Sequence, residues 1–449
     1  MSQHQNTARR PVRIAVFGHV GQDNLGDEAA FQAVLEAVKR HKPDAEILGI
    51  SVDPADTASR YGISTYPIWS ETRRAAPSRA EQGRVRPETE SPPPRHATAM
   101  ASLKSVLRCI PGVGYLAKWM RKVVTLLPAL APEILFLFRT RRVLRRVDLL
   151  AVAGSQHLND YVLGPWNFPY TMWKWAMLAK SAGTKVALVN VGAGPLRTRL
   201  GKWFIKQTVA WSDYQSYRDT SSIRCLEQLS LPIRTPAVPD LVFTLRLPPR
   251  RPQPTRPRQE KIVGINPIPF NSADYWVGAS HGGYERYVQL LASFAEWLLA
   301  RGLRVLFFPT QLTLDPRVIR DIRARINDHA YQPGAVAEAS IKSVEDLCAA
   351  IESMDFVVAS RFHGLVFSML LEKPVLGISY ADKGLDLMAS MGQSRYVLDI
   401  MTLDLATMQQ RFQEIELRQD QIRSVLRERA VQHRGLAEAQ LKELFTLVG

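Results

Sequence analysis

The sequence predicts an α/β protein built from two doubly wound, Rossmann-like domains that face a cleft, with a long helical tail at the C-terminus. Three observations lead there. Apolar strand-like runs alternate with amphipathic helical runs in both halves of the chain, the pattern of parallel sheets with helices on both faces. Arg246 to Arg258 carries five prolines and five arginines with no core pattern, as a linker would. The 449 residues are too many for one ordinary core and suit two domains with connections.

The elements follow in order. Val12–Phe17 reads as a strand, Asp27–Arg40 as an apolar-periodic helix and Ile47–Val52 as a second strand. Glu71–Met100, with Pro92-Pro93-Pro94 and almost no large apolar residue, reads as a disordered insertion. Strands are then expected at Leu149–Ala153 and Lys185–Val191, with the helix Trp173–Ser181 between them. Beyond the linker, strand Lys261–Asn266, helix Tyr284–Ala300 and strand Leu303–Pro309 repeat the alternation. Helices near Arg317–Ile326 and Ser343–Ser353 precede a strand, a turn, the helix from Leu365 and the strand Pro374–Tyr380. The expected domains are therefore 1–245, with 71–100 as a disordered insertion and 101–147 as a basic apolar helical region, and 261–402. Residues 246–260 join them, and 403–449 form the tail.

Hydrophobic residues at 46% and charged residues at 22% describe a soluble globular protein. Cys109, Cys225 and Cys348 are odd in number and far apart, which suits a reducing, cytoplasmic setting and offers no metal-ligand spacing. No metal or cofactor is expected. Met1–Arg10 has no apolar signal core, and Val123–Phe138 is interrupted by Pro128, Pro132 and Glu133, short of the roughly 20 residues a spanning helix needs. The net charge of +16 is uneven: residues 101–147 carry ten Lys and Arg against Glu133 alone. A basic, apolar region of this kind suits an anionic membrane surface or a lipid-linked substrate, and equally a solvated helix face. No nucleic-acid recognition module is present.

The chemistry gathers where strands end and helices begin, since unpaired backbone N–H groups and the helix dipole there favour anions. Ser360-Arg361-Phe362-His363-Gly364 lies at such a point, and places an arginine fork and an imidazole beside it. Gly18–Glu28 is a glycine-rich turn without dinucleotide or Walker spacing; within it Asn24 and Asp27 are candidates for contact with sugar hydroxyls, Asp27 alternatively for the helix cap, and glycines such as Gly26 let backbone approach a ligand. Ser155 to Asp160, including His157, offers hydrogen-bonding groups, Gly192-Ala193-Gly194-Pro195 a tight backbone turn, and Tyr217-Arg218-Asp219 a second arginine at a helix start. Asp382-Lys383, after the last of these strands, reads either as a pair that reaches the cleft or as a solvated helix cap.

Together Asn24–Glu28, Gly192–Pro195, Tyr217–Asp219, Pro239-Asp240, Ser360–Gly364 and Pro374–Tyr380 resemble the polysaccharide pyruvyl transferase family. The resemblance implies a GT-B-like fold and transfer of a pyruvyl group from phosphoenolpyruvate, as co-substrate, to a sugar or lipid-linked oligosaccharide as a cyclic ketal. It places Arg361, His363 and Arg218 at the phosphoenolpyruvate site, on the C-terminal-domain side, with the acceptor on the N-terminal side. Ala153-Gly154-Ser155 departs from the consecutive glycines usual in the family.

The expected roles follow from the chemistry. A phosphate and a carboxylate suit two arginines, and ketal formation needs protons moved and the departing phosphate stabilised. His363, Arg361 and Asp27 are the expected catalytic groups. Arg218, Ser360, Gly364, Asn24, Gly26, His157, Asp160 and Gly194 are the expected substrate-binding ones. A nucleotide-sugar glycosyltransferase on the same scaffold and a non-catalytic membrane-surface protein are the competing readings.

Overall fold

The computed structural model describes residues 10–70, 131–161, 163–231, 233, 235–247, 261–272, 282–327 and 330–448. The expected insertion at 71–100 and nearly all of the linker lie outside them, as do residues 101–130 of the basic region. The chain divides into two compact units, Met1–Ile68 with Leu144–Gly449, and Trp69–Val143. Among its described residues the smaller unit is helical over 131–143, with Glu133 accepting a hydrogen bond from the Ser70 hydroxyl at 2.8 Å.

The larger unit contains two parallel six-stranded sheets. In the first, β1 (Arg13–Phe17), β2 (Glu46–Ser51), β3 (Ser64–Pro67), β4 (Leu149–Val152), β5 (Lys185–Val191) and β6 (Tyr214–Tyr217) lie in the order 3-2-1-4-5-6. In the second, β7 (Ile262–Asn266), β8 (Arg304–Phe307), β9 (Val336–Glu338), β10 (Phe356–Ala359), β11 (Val375–Ser379) and β12 (Val397–Asp399) lie in the order 12-11-10-7-8-9. Read from its first strand, that is the same doubly wound order, whose ligands bind beyond the carboxyl ends of the strands where the winding reverses. The central strands are buried over nearly their whole length, as apolar runs covered on both faces must be.

The helices of the first domain are α1 (Leu25–His41), α2 (Pro54–Tyr61), α3 (Phe168–Ala182), α4 (Arg199–Trp211) and α5 (Thr220–Glu227). Those of the second are α6 (Gly283–Ala300), α7 (Asp315–Arg323), α8 (Val344–Glu352), α9 (Phe362–Leu370) and α10 (Asp382–Ser390). The tail is α11 (Leu405–Leu417) and α12 (Gln419–Leu444). It leaves the second domain through Arg301–Glu416 at 2.7 Å and returns to the first, where Tyr214 donates to the Gln440 carbonyl and Arg434 to the Phe243 carbonyl. The long polar tail is thus a strap across both sheets.

The cleft edges also meet directly. Leu25 N–H donates to the Thr310 carbonyl at 3.0 Å and Leu312 N–H to the Asp23 carbonyl at 2.8 Å. This short ladder holds the first turn of α1 against the start of α7, and so fixes what faces the strand ends of the second sheet. Among the described residues no helix is long and apolar enough to cross a membrane.

Candidate active site

Arg361 caps α9 at the end of β10, where the sequence placed it. Its Nε and Nη2 both donate to Asp315 Oδ1, at 2.9 and 2.5 Å, and Asp315 is wholly buried. The other Asp315 oxygen accepts from the N–H groups of Thr310 and Gln311. The expectation that this fork is presented to a ligand is corrected here: one edge of the guanidinium is already closed by a carboxylate of the chain. Arg361 fastens α9 to α7, and its field still acts on its neighbours.

His363 sits in the first turn of α9, facing the other domain. A Cβ added at Gly26 would lie 1.8 Å from His363 Nδ1, so only glycine at that place in α1 lets the imidazole occupy its position. His363 Nε2 lies 3.8 Å from Asp240 Oδ2. Burial, then the fields of Arg218, Lys383 and Arg361, hold its pKa well below the ordinary value, so the imidazole is neutral.

Arg218, at the end of β6, has only 3% of its side chain exposed. Its Nη2 donates to Gln156 Oε1 at 2.8 Å, and its guanidinium lies over the Phe362 ring, 4.9 Å from the centroid. Asp219 and Asp240 stand 3.5 and 4.0 Å away, and Nε is buried without a hydrogen-bond acceptor. A Cβ on Gly192 would come within 3.0 Å of this guanidinium, so the glycine turn after β5 is the floor on which it rests. Burial raises the pKa of Asp240 against the opposing pull of Arg218. For Asp219 burial is outweighed by Arg218 and the Ser221 and Ser222 donors, and its pKa falls.

Lys383, in the first turn of α10 beyond β11, enters the same cluster. Its Nζ donates to Gln156 Oε1 at 3.2 Å and lies 5.6 Å from the Phe362 centroid and 5.7 Å from that of Tyr380. Of the two readings of Lys383, this contact supports the one that reaches the cleft over the solvated cap. At Tyr380 burial raises the phenol pKa, but Lys383, Arg361 and Arg218 outweigh it and hold the pKa below its ordinary value. Gln156 joins the cations to the N-terminal side by donating from Nε2 to the Gly194 carbonyl at 2.7 Å. A cavity lined by Arg218, Asp240, Phe362 and Lys383 opens beside them.

Across from these cations lies Asp27. Asn24 caps α1 by accepting from Gly26 N–H and donates its own amide to Asp27 Oδ2 at 2.8 Å. Capping and placement of Asp27 are therefore done by one side chain. Burial is the largest influence on Asp27 and pushes its pKa up to about 6, with the Ser155 hydroxyl and Arg218 pulling the other way.

The remaining candidates shape the site from behind. His157 has no exposed surface: it packs edge-on to Phe17 at 5.7 Å, and burial, with His19 and Arg218, takes its pKa down to about 3. It is a core histidine, which corrects its expected acceptor contact. Asp160 accepts from the N–H groups of Arg197 and Thr198 and from the Thr198 hydroxyl, so its oxygens hold a loop instead of a ligand. The Ser360 hydroxyl shares a hydrogen bond with Tyr287 at 2.8 Å. Gly364 makes room for Asn266, which donates to the Phe308 carbonyl. The sequence does not single out Tyr380, shows Gln156 only as one of a set of hydrogen-bonding groups, and leaves Lys383 between cleft and solvent; the available signal is that each follows a strand end of the cleft.

Two domains of this order, an interdomain cleft and a returning C-terminal helix define a GT-B-type protein. The chain belongs to the polysaccharide pyruvyl transferase family, whose pattern matches residues 24–382. Among curated proteins, none matches it by sequence. Its fold is similar to that of Anabaena HepE in complex with UDP-glucose (TM-score 0.54, 11% identity, 97% of this chain and 99% of that one). It is similar also to Staphylococcus aureus MnaA with UDP (0.54, 9%, 97% and 98%). A third likeness is to UDP-GlcNAc 2-epimerase from Neisseria meningitidis bound to UDP-GlcNAc (0.51, 11%, 97% and 99%). At these identities the likeness is one of fold.

Proposed function

We propose that this protein transfers the pyruvyl group of phosphoenolpyruvate to two hydroxyls of a sugar, forming a cyclic ketal and releasing phosphate. The observation that carries the reading is the cluster of Arg218 and Lys383 around neutral His363, with Arg361 behind it and Asp27 opposite. Such a cluster suits a small ligand carrying both a phosphate and a carboxylate. Gln156 Oε1, which now accepts from both cations, is the group such a ligand would displace.

In the proposed reaction one sugar hydroxyl adds to C2 of the enol while C3 takes a proton and becomes a methyl group. The second hydroxyl then adds to C2 as the C–O bond to phosphate breaks, and its proton leaves with the phosphate. Asp27, whose pKa of about 6 leaves it ionised at neutral pH, is the proposed acceptor of the first proton. His363 is the proposed donor to C3. Burial and, after it, the cations keep it neutral, and a bound multiply charged anion would oppose both and let the imidazole take up a proton.

The acceptor is proposed to be a sugar of a polysaccharide or lipid-linked precursor, used at the cytoplasmic membrane face. The charge of residues 101–147 motivates that location. The test is phosphate release from phosphoenolpyruvate with a panel of free and lipid-linked sugars, the products weighed by mass spectrometry. An acceptor gaining the mass of a ketal-linked pyruvyl group is expected. Acceptor-dependent transfer from a nucleotide sugar, with phosphoenolpyruvate inert, would replace this reading with a glycosyltransferase.

A further inference from the structure

We propose that the face formed by the N-terminal ends of α3 and α4 docks on an anionic lipid surface. Residues 161–212 contain seven Lys and Arg and no Asp or Glu. Lys180 is paired with Asp213 at the far end of α3, Lys185 is tied to the Leu447 carbonyl and Lys174 is buried. Four cations, Arg197, Arg199, Lys202 and Lys206, remain exposed along α4 and the loop before it.

Among them lie large apolar side chains that a soluble surface has no use for. Trp166 is 60% exposed and Trp203 47%, with Leu163 and Leu200 beside them in kind. In α4, Leu200 and Trp203 are three residues apart, and Arg199, Lys202 and Lys206 follow helical spacing, so rings and charges share one solvent face. The rings are held from beneath. Phe204 packs against Trp203 at 5.3 Å and Trp166 at 5.7 Å, and Trp173 packs against Trp203 at 5.8 Å. Rigid amphipathic rings ringed by cations suit the headgroup layer of an anionic bilayer, where indoles settle and Lys and Arg meet lipid phosphates.

The place in the fold gives this face a use. α3 and α4 begin just beyond the carboxyl ends of β4 and β5, on the rim that carries Gln156 and the Gly192 floor of Arg218. Asp160 binds the two loops together through Arg197 and Thr198. A protein docked by this face turns that rim toward the membrane, where a lipid-carried acceptor would be met.

The test is co-sedimentation of the full chain with vesicles of phosphatidylcholine alone and of phosphatidylcholine with phosphatidylglycerol. Binding to the anionic vesicles is expected and should fall as salt is raised. Lys202→Gln with Lys206→Gln should weaken it roughly 25-fold, at about fivefold per basic residue. Trp166→Ser with Trp203→Ser should weaken it at least about tenfold. Both pairs are exposed, so circular dichroism and donor binding should match the wild type. Absence of wild-type binding to anionic vesicles would overturn the proposal. So would wild-type binding left unchanged in both double variants, which would assign it to another surface such as 101–147. A Trp-dependent dimer in light scattering, without vesicle binding, would make the face a contact between copies. None of these outcomes bears on whether phosphoenolpyruvate is the donor.

Discussion

The turns bearing Arg218 and Arg361 look alike in sequence and differ in charge balance. Each places an arginine at the end of a strand and the start of a helix. Arg361 donates through two nitrogens to a wholly buried carboxylate, and that carboxylate is itself saturated by backbone donors. Arg218 has carboxylates only at 3.5 and 4.0 Å, a neutral amide as its close acceptor, and an Nε with none. The first arrangement is a fastening and the second is the proposed site, since a cation whose partners hold it in place without closing it can still take up an anion.

That difference predicts opposite losses. Arg218→Lys keeps the charge but removes the fork over Phe362, and should lower kcat/KM with phosphoenolpyruvate by about 10²–10³-fold, equivalent to roughly 3–4 kcal/mol, with little change in melting temperature. Arg361→Ala strands the Asp315 charge inside the protein and should cost on the order of 3–5 kcal/mol of stability. Arg361→Met combined with Asp315→Asn, which removes the charge but keeps an oxygen for the Thr310 and Gln311 N–H groups, should recover part of that in thermal unfolding. If Arg361→Ala leaves stability intact and donor affinity alone falls, the comparison is inverted.

Much of the core of this fold was legible in the sequence. The inner apolar strands β1, β2, β4, β5, β7, β8, β10 and β11 were anticipated, because burial on both faces writes a continuous hydrophobic run. β3, β6, β9 and β12 were not. They are the edges of both sheets, three or four residues each, as in Ser64-Thr65-Tyr66-Pro67 and Tyr214-Gln215-Ser216-Tyr217, and half-polar edges carry no periodicity to detect. In the site, the strand-end arginines and histidine were visible as residue types out of place. Their partners were not: Asp315 is 46 positions from Arg361 and Gln156 is 227 from Lys383, and no local pattern encodes such meetings. His157 was misread because a histidine in a glycine-rich turn looks the same whether its ring faces the cleft or Phe17.

Gly26→Ala tests how closely the two edges of the cleft must meet. The added methyl would occupy the place of the His363 ring, so turnover should fall roughly 10²-fold while donor affinity, set mainly by Arg218 and Lys383, changes less. A variant with wild-type turnover would show that His363 need not stand where it does.

A smaller effect should come from Asp27, the acidic counterpart of the cation cluster. Its pKa is raised to about 6 from the usual carboxylate range, so the folded protein holds this proton more tightly than the unfolded chain does. Its ionisation therefore costs stability, a cost absent below about pH 4 and growing as the pH passes through 6. Asp27→Asn should raise the melting temperature at pH 8, by an amount equivalent to about 1–3 kcal/mol, and give little gain at pH 4. Transfer by the wild type should rise with pH through a limb near 6, which the asparagine variant would lack along with most of its activity.

The central claim is that Arg218, Lys383 and His363 form a phosphoenolpyruvate site, and isothermal titration calorimetry tests it most directly. Phosphoenolpyruvate and a UDP-sugar would each be titrated into the wild type and Arg218→Lys, in buffers of different ionisation enthalpy. The account predicts one phosphoenolpyruvate site per chain, uptake of a proton on binding as the imidazole is charged, and affinity lost in the variant. Saturable binding of the UDP-sugar, with no heat from phosphoenolpyruvate, would contradict it.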